Sequence, residues 1–212
     1  MNRLAFLFHR TLRHEAALEG LSISQSDLLE ACDGQTIALV GNARSLAGTE
    51  YGAAIDAAAL VIRINRAPMP SPLSHGRRTD WLGLATSLPG DTPLRPSRYL
   101  WMSPKRKRLS YRVAMSPGFY LHPLADIAAL QQQVQAPPTT GLMLIALLAQ
   151  SKARDIQLYG FDFFASLSLS GRRTAAQTPH DFSTEQGYVE ALIARDGRFS
   201  LHSALSPSPT LG

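Results

Sequence analysis

Three short words in this chain carry the residue types that handle charged ligands and protons. In the first, the apolar runs Ile37–Val40 and Leu60–Ile64 each give way to an asparagine, Asn42 behind Gly41 and Asn65 behind Ile64. An asparagine side chain offers donor and acceptor together. Two of them at two strand ends suit a ligand of mixed polarity, such as a base with its ribose, and Gly41 would let backbone approach that ligand closely. The second word is Pro138-Thr139-Thr140-Gly141 ahead of the apolar run Leu142–Ala149, followed later by Tyr159-Gly160-Phe161. N–H groups and hydroxyls at a helix start form an anion site, and Thr139, Thr140 and Gly141 can supply both. The third word is His180-Asp181-Phe182-Ser183-Thr184-Glu185. Imidazole is the side chain poised near neutral pH, which gives His180 the chemistry of a general base. Glu185 reads as part of a helix start and its packing.

The elements that must position these words are those of an α/β domain. Ile37–Val40 and Leu60–Ile64 have the length and β-branched content of buried strands. Trp81–Ala85, Tyr99–Met102, Asp155–Tyr159 and Phe199–His202 read as further strands. Ligands of open α/β sheets bind at the carboxyl ends of the strands, and Asn42, Asn65 and Phe161–Phe164 are expected there. Leu124 to Val134 shows helical periodicity, the prolines after it stop that helix, and Thr139 or Thr140 can cap the next. A last helix is expected from about Thr184 to Arg195, with Ser183 and Gln186 spaced as a capping box. The expected layout is an N-terminal helical segment over 1–34, one binding domain over 35–204 and a disordered tail over 205–212.

With 212 residues, 45% of them hydrophobic, the chain can bury the core of one such domain. Its net charge of +5 favours an anionic partner. The one cysteine, Cys32, excludes an internal disulfide and fits a reducing compartment. The longest early apolar run, Leu4–Phe8, is far short of the ~20 residues of a membrane span. Arg3, Arg10, Arg13 and His14 interleave with Leu4, Phe6, Leu7, Phe8, Leu12 and Leu18 in a basic amphipathic pattern. That pattern suits either a terminal helix packed on the core or contact with a membrane surface. Lys105-Arg106-Lys107-Arg108 reads first as a solvated face and next as attraction to an acidic acceptor or phospholipid. Nucleic acid ranks last, because no aromatic interleaving accompanies the run.

The wording of Thr36 to Pro68, VGN-x-x-x-L-x-G-x-x-Y-G-x-x-I-D and then VIR-x-N-x-AP, resembles the large sialylmotif of glycosyltransferase family 29, the CMP-sialic acid sialyltransferases. P-x-TG followed by YGF resembles the family's small motif, Gly76-Arg77-Arg78-Thr79 its "GSRTT"-like word, and His180 with Glu185 its very small motif. The resemblance implies a single-domain, Rossmann-like α/β fold of GT-A-like type with a mostly parallel sheet. It implies inverting, metal-independent transfer of an acidic sugar from CMP to a glycan or glycolipid hydroxyl, with His180 as catalytic base. Gly41, Ala43, Asn42, Asn65, Thr139, Thr140, Gly141 and Gly160 would line the donor site, with Phe161, Asp162 and Phe163 after them. No cofactor beyond the CMP-sugar substrate and no metal is implied, and no D-x-D triplet is present. Sialic acid is the family's usual donor; CMP-Kdo or another CMP-nonulosonate in surface polysaccharide synthesis fits as well, as does a non-catalytic CMP-binding protein.

Four departures bear on the site. Family members of the Golgi join a cysteine of the large motif to one of the small motif; the corresponding positions here are Ile37 and Ala153. Ala43 stands where serine is common, and Asp162 where some members place a base-stacking tryptophan, leaving that role to Phe161, Phe163 or Phe164. The His-Tyr-Tyr-Glu-like word whose histidine meets the donor phosphate is missing, and Arg172 or Arg173 would supply that charge. The resemblance without a membrane anchor points to a compact bacterial-type member, cytoplasmic or peripheral at the inner membrane face.

Overall fold

A computed structural model describes residues 1–163 and 181–202. Its centre is a seven-stranded sheet: β1 (Thr36–Val40), β2 (Leu60–Ile64), β3 (Trp81–Leu84), β4 (Arg98–Trp101), β5 (Tyr120–Leu121), β6 (Asp155–Tyr159) and β7 (Phe199–His202). The spatial order is β5-β4-β3-β2-β1-β6-β7, and every paired neighbour is parallel. The sheet expected to be mostly parallel is thus wholly so, with helices on both faces.

Alternation along the strands divides the core. Ile37 and Leu39 of β1, Ile62 and Ile64 of β2, and Ile156 and Leu158 of β6 face one side. There they meet α3 (Gln25–Glu30), α7 (Leu124–Val134), α8 (Thr140–Leu148) and α9 (Phe182–Arg195). On the other side Ala38, Val40 and Val61 meet α4 (Gly52–Ala57). Further along that side, Leu82, Leu84, Tyr99 and Trp101 lie under α1 (Arg3–Leu12), α2 (Glu15–Glu19) and α6 (Tyr111–Ala114). Burial on both faces is why the strands read as near-continuous apolar runs. α5 (Pro72–His75) packs its backbone so close to α4 that a Cβ at Gly52 would strike the Pro72 carbonyl.

Two expectations about the elements are corrected. α9 begins at Phe182, and its cap is Asp181, whose carboxylate accepts from the Ser183 and Thr184 N–H groups at 3.1 Å each. The Ser183–Gln186 box is therefore not the cap. The basic run is not wholly solvated: Arg106 is buried and reaches Glu15 at 2.5 Å. Residues 1–34 hold the helices α1, α2 and α3, and of the two readings offered for the basic pattern the structure shows packing on the core, with Phe6, Leu18 and Leu28 buried. The tail beyond residue 202 lies outside the described residues.

Candidate functional site

From β1 the chain moves outward strand by strand to β5, then returns to place β6 on β1's other side. The direction of winding therefore reverses between β1 and β6. In open α/β sheets the loops leaving the carboxyl ends of two such strands part, and the crevice between them takes the ligand. The first two words identified in the sequence meet at this crevice.

Its floor is made by two glycines. The Gly41 N–H donates to Tyr159 O at 2.7 Å and the Ala43 N–H to Gly160 O at 3.1 Å, carrying the ladder one step beyond the strands. Gly160 has φ +66°, and a Cβ at Gly41 would strike the Gly160 carbonyl. Gly41 was expected to admit a ligand; the structure shows that it admits the neighbouring strand end. A Cβ on Gly141 would lie 2.7 Å from Phe161 Cε1, and one on Gly41 3.3 Å from Phe161 Cδ2. The half-buried Phe161 ring is thus held between the two glycine words as a spacer. Phe163, half-buried with φ +49°, packs at the margin of the same core.

The two asparagines fasten the strand ends sideways. Asn42 Nδ2 donates to Ile64 O at 3.1 Å, tying the end of β1 to β2. The Asn65 N–H donates to Gly83 O, and its Oδ1 accepts from the Ala85 N–H at 2.8 Å, tying β2 to β3. Asn65 sits at φ +55°, a conformation asparagine tolerates better than most residues. Ser45 Oγ donates to Asp162 Oδ2 at 2.8 Å, so a side-chain bond spans the loops on the two sides of the crevice.

Of the helix-start donors, Thr139 is already engaged. Its N–H and its hydroxyl both donate to the Glu185 carboxylate at 2.7 Å, while its Oγ1 caps the Leu142 N–H. The expectation that Thr139 donates to the ligand is therefore corrected. The N–H groups of Thr140 and Gly141 have no partner among the described residues and are the uncommitted donors of this helix start. Glu185 is buried, and burial pushes its carboxyl up to about 7 against the pull of the two Thr139 bonds.

The arginine of the VIRIN word is a strut. Arg63 is fully buried and donates from Nε to Arg78 O and from Nη2 to His75 O; burial lowers it to about 10. Asp56 accepts from the Arg77 and Arg78 N–H groups, which joins the end of the large motif to Gly76-Arg77-Arg78-Thr79. Ile37 and Ala153, where family members carry cysteines, both lie in the main core, and a hydrogen bond from Arg154 N–H to Gln35 O runs beside them. Apolar packing fills the place of a crosslink. Cys32 is buried and its thiol is pushed up to about 12, so it is no nucleophile.

Sequence reading passed over Arg44 and Arg66. Each stands two or fewer residues past a motif asparagine, at the carboxyl edge, exposed and without a carboxylate partner among the described residues. Only their position next to Asn42 and Asn65 could have signalled them. Among the described residues no group of three or more His, Cys, Asp or Glu could hold a metal, and no helix is long and apolar enough to cross a membrane. His180, Arg172, Arg173 and Phe164 lie outside the described residues.

Fold and crevice together define an α/β protein with a Rossmann-like parallel sheet, its candidate ligand edge at β2, β1 and β6. Residues 15–92 match the family model for glycosyltransferase family 29 (sialyltransferase). A mammalian sialyltransferase crystallised with Gal-beta-1-3GalNAc-ortho-nitrophenol is similar in structure, with TM-score 0.58 at 19% identity over 80% of this chain and 69% of that one. A second crystal structure of a mammalian sialyltransferase gives the same values. Comparison with curated protein sequences gives no match. The matched stretch, residues 15–92, contains the first of the motif words and is similar to the family that those words resemble.

Proposed function

We propose that this chain transfers an acidic sugar from CMP to a glycan or glycolipid hydroxyl, inverting the anomeric centre without a metal ion. The observation that carries the reading is the crevice at the β1–β6 reversal, with the Thr140 and Gly141 N–H groups beside it and Arg44 and Arg66 on its rim. A CMP-linked nonulosonic acid brings a phosphodiester and a carboxylate to one small place. Helix-start amides take one anion, and the exposed arginines, with Arg172 or Arg173, take the other. Asn42 and Asn65 keep in register the strand ends against which the cytidine and ribose would lie.

In the transfer, the acceptor oxygen attacks the anomeric carbon as the carbon–oxygen bond to phosphate breaks. The acceptor proton passes to His180, and CMP leaves with the bonding pair. His180 is one residue from Asp181, the cap of α9, and the first turn of α9 is tied to Thr139 at the start of α8. Chain connection thus supports a base close to the anion-binding amides. The single phosphate of departing CMP carries charge that amides and guanidinium groups can stabilise. The disaccharide bound to the similar mammalian enzyme supports a glycan hydroxyl as acceptor.

The test is a thermal-shift series. CMP is expected to raise the midpoint by mass action, and UMP, GMP and AMP to leave it in place. His180→Ala is expected to keep the CMP shift while turnover of CMP-sialic acid falls by roughly 10²–10⁴. An equal response to all four nucleotides, or loss of the CMP shift in His180→Ala, would overturn the assignment.

A further inference from the structure

Helix α1 is docked with an apolar side facing out. Toward the protein it turns Phe6, fully buried with its ring 5.5 Å from that of Tyr111, and Arg10, whose Nη1 donates to Leu109 O at 2.8 Å. The Tyr111 hydroxyl reaches back to Met1 O at 3.1 Å. Away from the protein, at successive turns, stand Leu4, Phe8 and Leu12, which are 80%, 57% and 52% exposed. The outer side of a surface helix is ordinarily polar. A continuous row of large apolar side chains there marks a contact surface.

What borders the row is legible only in three dimensions. α1 lies along the segment Arg106–Leu109, so two basic features about a hundred residues apart in the chain form one face. Lys105, Lys107, Arg108 and Arg112 are exposed on it, and Arg3 and Arg13 on the helix itself. Neither residues 1–14 nor residues 102–119 contain a single Asp or Glu. The face also has a definite position. Lys105–Arg108 follow β4 at its carboxyl end, and Ser87 Oγ, from the loop after β3, donates to Arg108 O. It therefore lies on the same edge of the sheet as the crevice.

We propose that this face docks on an anionic phospholipid bilayer. α1 lies in the interface with Leu4, Phe8 and Leu12 among the upper acyl chains, and the surrounding cations meet lipid phosphates. The excess of cations selects this occupant over a second copy of the chain. Two such faces brought together would set cations against cations, with Glu15 already held by Arg106 and only Asp91, beside Arg112, at the margin to offset them. Docked so, the carboxyl edge of the sheet lies at the membrane surface, where an acceptor carried on a lipid would be held. The contact needs no nucleotide, so it stands or falls apart from the donor assignment.

The test is flotation of the full chain with vesicles of phosphatidylglycerol in phosphatidylcholine, against vesicles of phosphatidylcholine alone. The expected result is binding to the anionic vesicles only, weakening as salt is raised. Leu4→Ser with Phe8→Ser and Leu12→Ser is expected to lower partitioning by about tenfold or more. Lys105→Glu with Lys107→Glu and Arg108→Glu is expected to abolish the preference for anionic lipid. Phe8→Trp, which keeps the row apolar, is expected to bind as the parent does and to shift its emission to the blue on anionic vesicles. That variant decides the matter even where the triple variants fail to fold. Equal binding to neutral vesicles, no flotation with either, or an unshifted Phe8→Trp would overturn the proposal. So would a concentration-dependent dimer that the Ser variant dissolves. A CMP midpoint shift without vesicle binding sinks this proposal alone; vesicle binding without the CMP shift sinks the donor assignment alone.

Discussion

Glu185 and Thr139 show how a single buried carboxyl can set the geometry of an anion site. Glu185 is 3% exposed and takes both donors of Thr139, the residue that caps α8, so α9 and α8 are locked at their starts. Burial raises Glu185 to about 7 from an ordinary 4.5. Within that window the folded chain keeps a proton that the unfolded chain has released. Stability therefore falls as pH rises through it, by on the order of 2–3 kcal/mol in all. His122 works in the opposite sense. Burial first, and Arg106 second, lower it to about 4 from 6.5, so it loses stability as pH falls through its own window. The two partly cancel in the parent protein, and Glu185→Gln separates them. Glutamine keeps an acceptor for the Thr139 N–H and a group to meet its hydroxyl, without a titrating proton. Urea unfolding of both proteins across pH is expected to show the Gln variant gaining on the parent as pH rises from about 4.5 to 7. A constant gap would mean that Glu185 is ionised throughout. The pairing was only half legible in the sequence. A glutamate in the first turn of a helix reads as a packing residue, but its partner lies 46 positions away and no local pattern announces it.

At the scale of elements, the crevice depends on how closely three backbones approach around the Phe161 ring. A methyl on Gly41 would meet the Gly160 carbonyl, which the β1–β6 ladder holds rigid, whereas a methyl on Gly141 would meet the edge of a half-buried ring. Backbone cannot yield and a ring can shift, so the two glycines are not equivalent despite both lying in motif words. Gly41→Ala is expected to destabilise by more than the ~1–3 kcal/mol typical of overpacking, and Gly141→Ala to fall within that range. Urea midpoints rank them; equal losses would show that the floor of the crevice deforms as easily as its wall. The same closeness explains what could be read in advance. Strands buried on both faces are apolar runs, so β1, β2, β3 and β4 could be placed from sequence to within a residue, and α7 has three turns of periodicity to show. α4, α5 and α6 have only six, four and four residues, and β5 only two. These are too short to display a period, and tertiary contacts such as Gly52 against Pro72 fix them. Gly41 itself was visible as a site residue while its purpose was not. Close approach to a ligand and close approach to a neighbouring strand leave the same mark in a sequence.

In the whole molecule, strand order decides where the chemistry sits, and no stretch of sequence encodes it. The motifs pointed to the carboxyl ends of β1, β2 and β6; that β1 lies between the other two, at the reversal, came only with the topology. Farther along the same edge, at β4 and β5, the sheet is organised around charge. Arg106 is 3% exposed and donates to Glu15 from Nε and Nη2, to Ser103 O and to His122 O. One guanidinium thus binds the start of α2, the turn after β4 and the end of β5. Removing Glu15 would leave a buried cation with carbonyl partners only. Loss of one partner from a fully buried pair costs ~3–5 kcal/mol. The Glu15 side chain is 23% exposed, so water would partly replace it, and Glu15→Ala is expected to cost about 2–3 kcal/mol. Replacing both, Glu15→Leu with Arg106→Met, is expected to recover more than half of that loss, because an apolar pair needs no compensation for desolvation. Chemical unfolding of the single and double variants measures the difference. A double variant as unstable as the single one would show that Arg106 holds α2 by its carbonyl bonds and not by its charge.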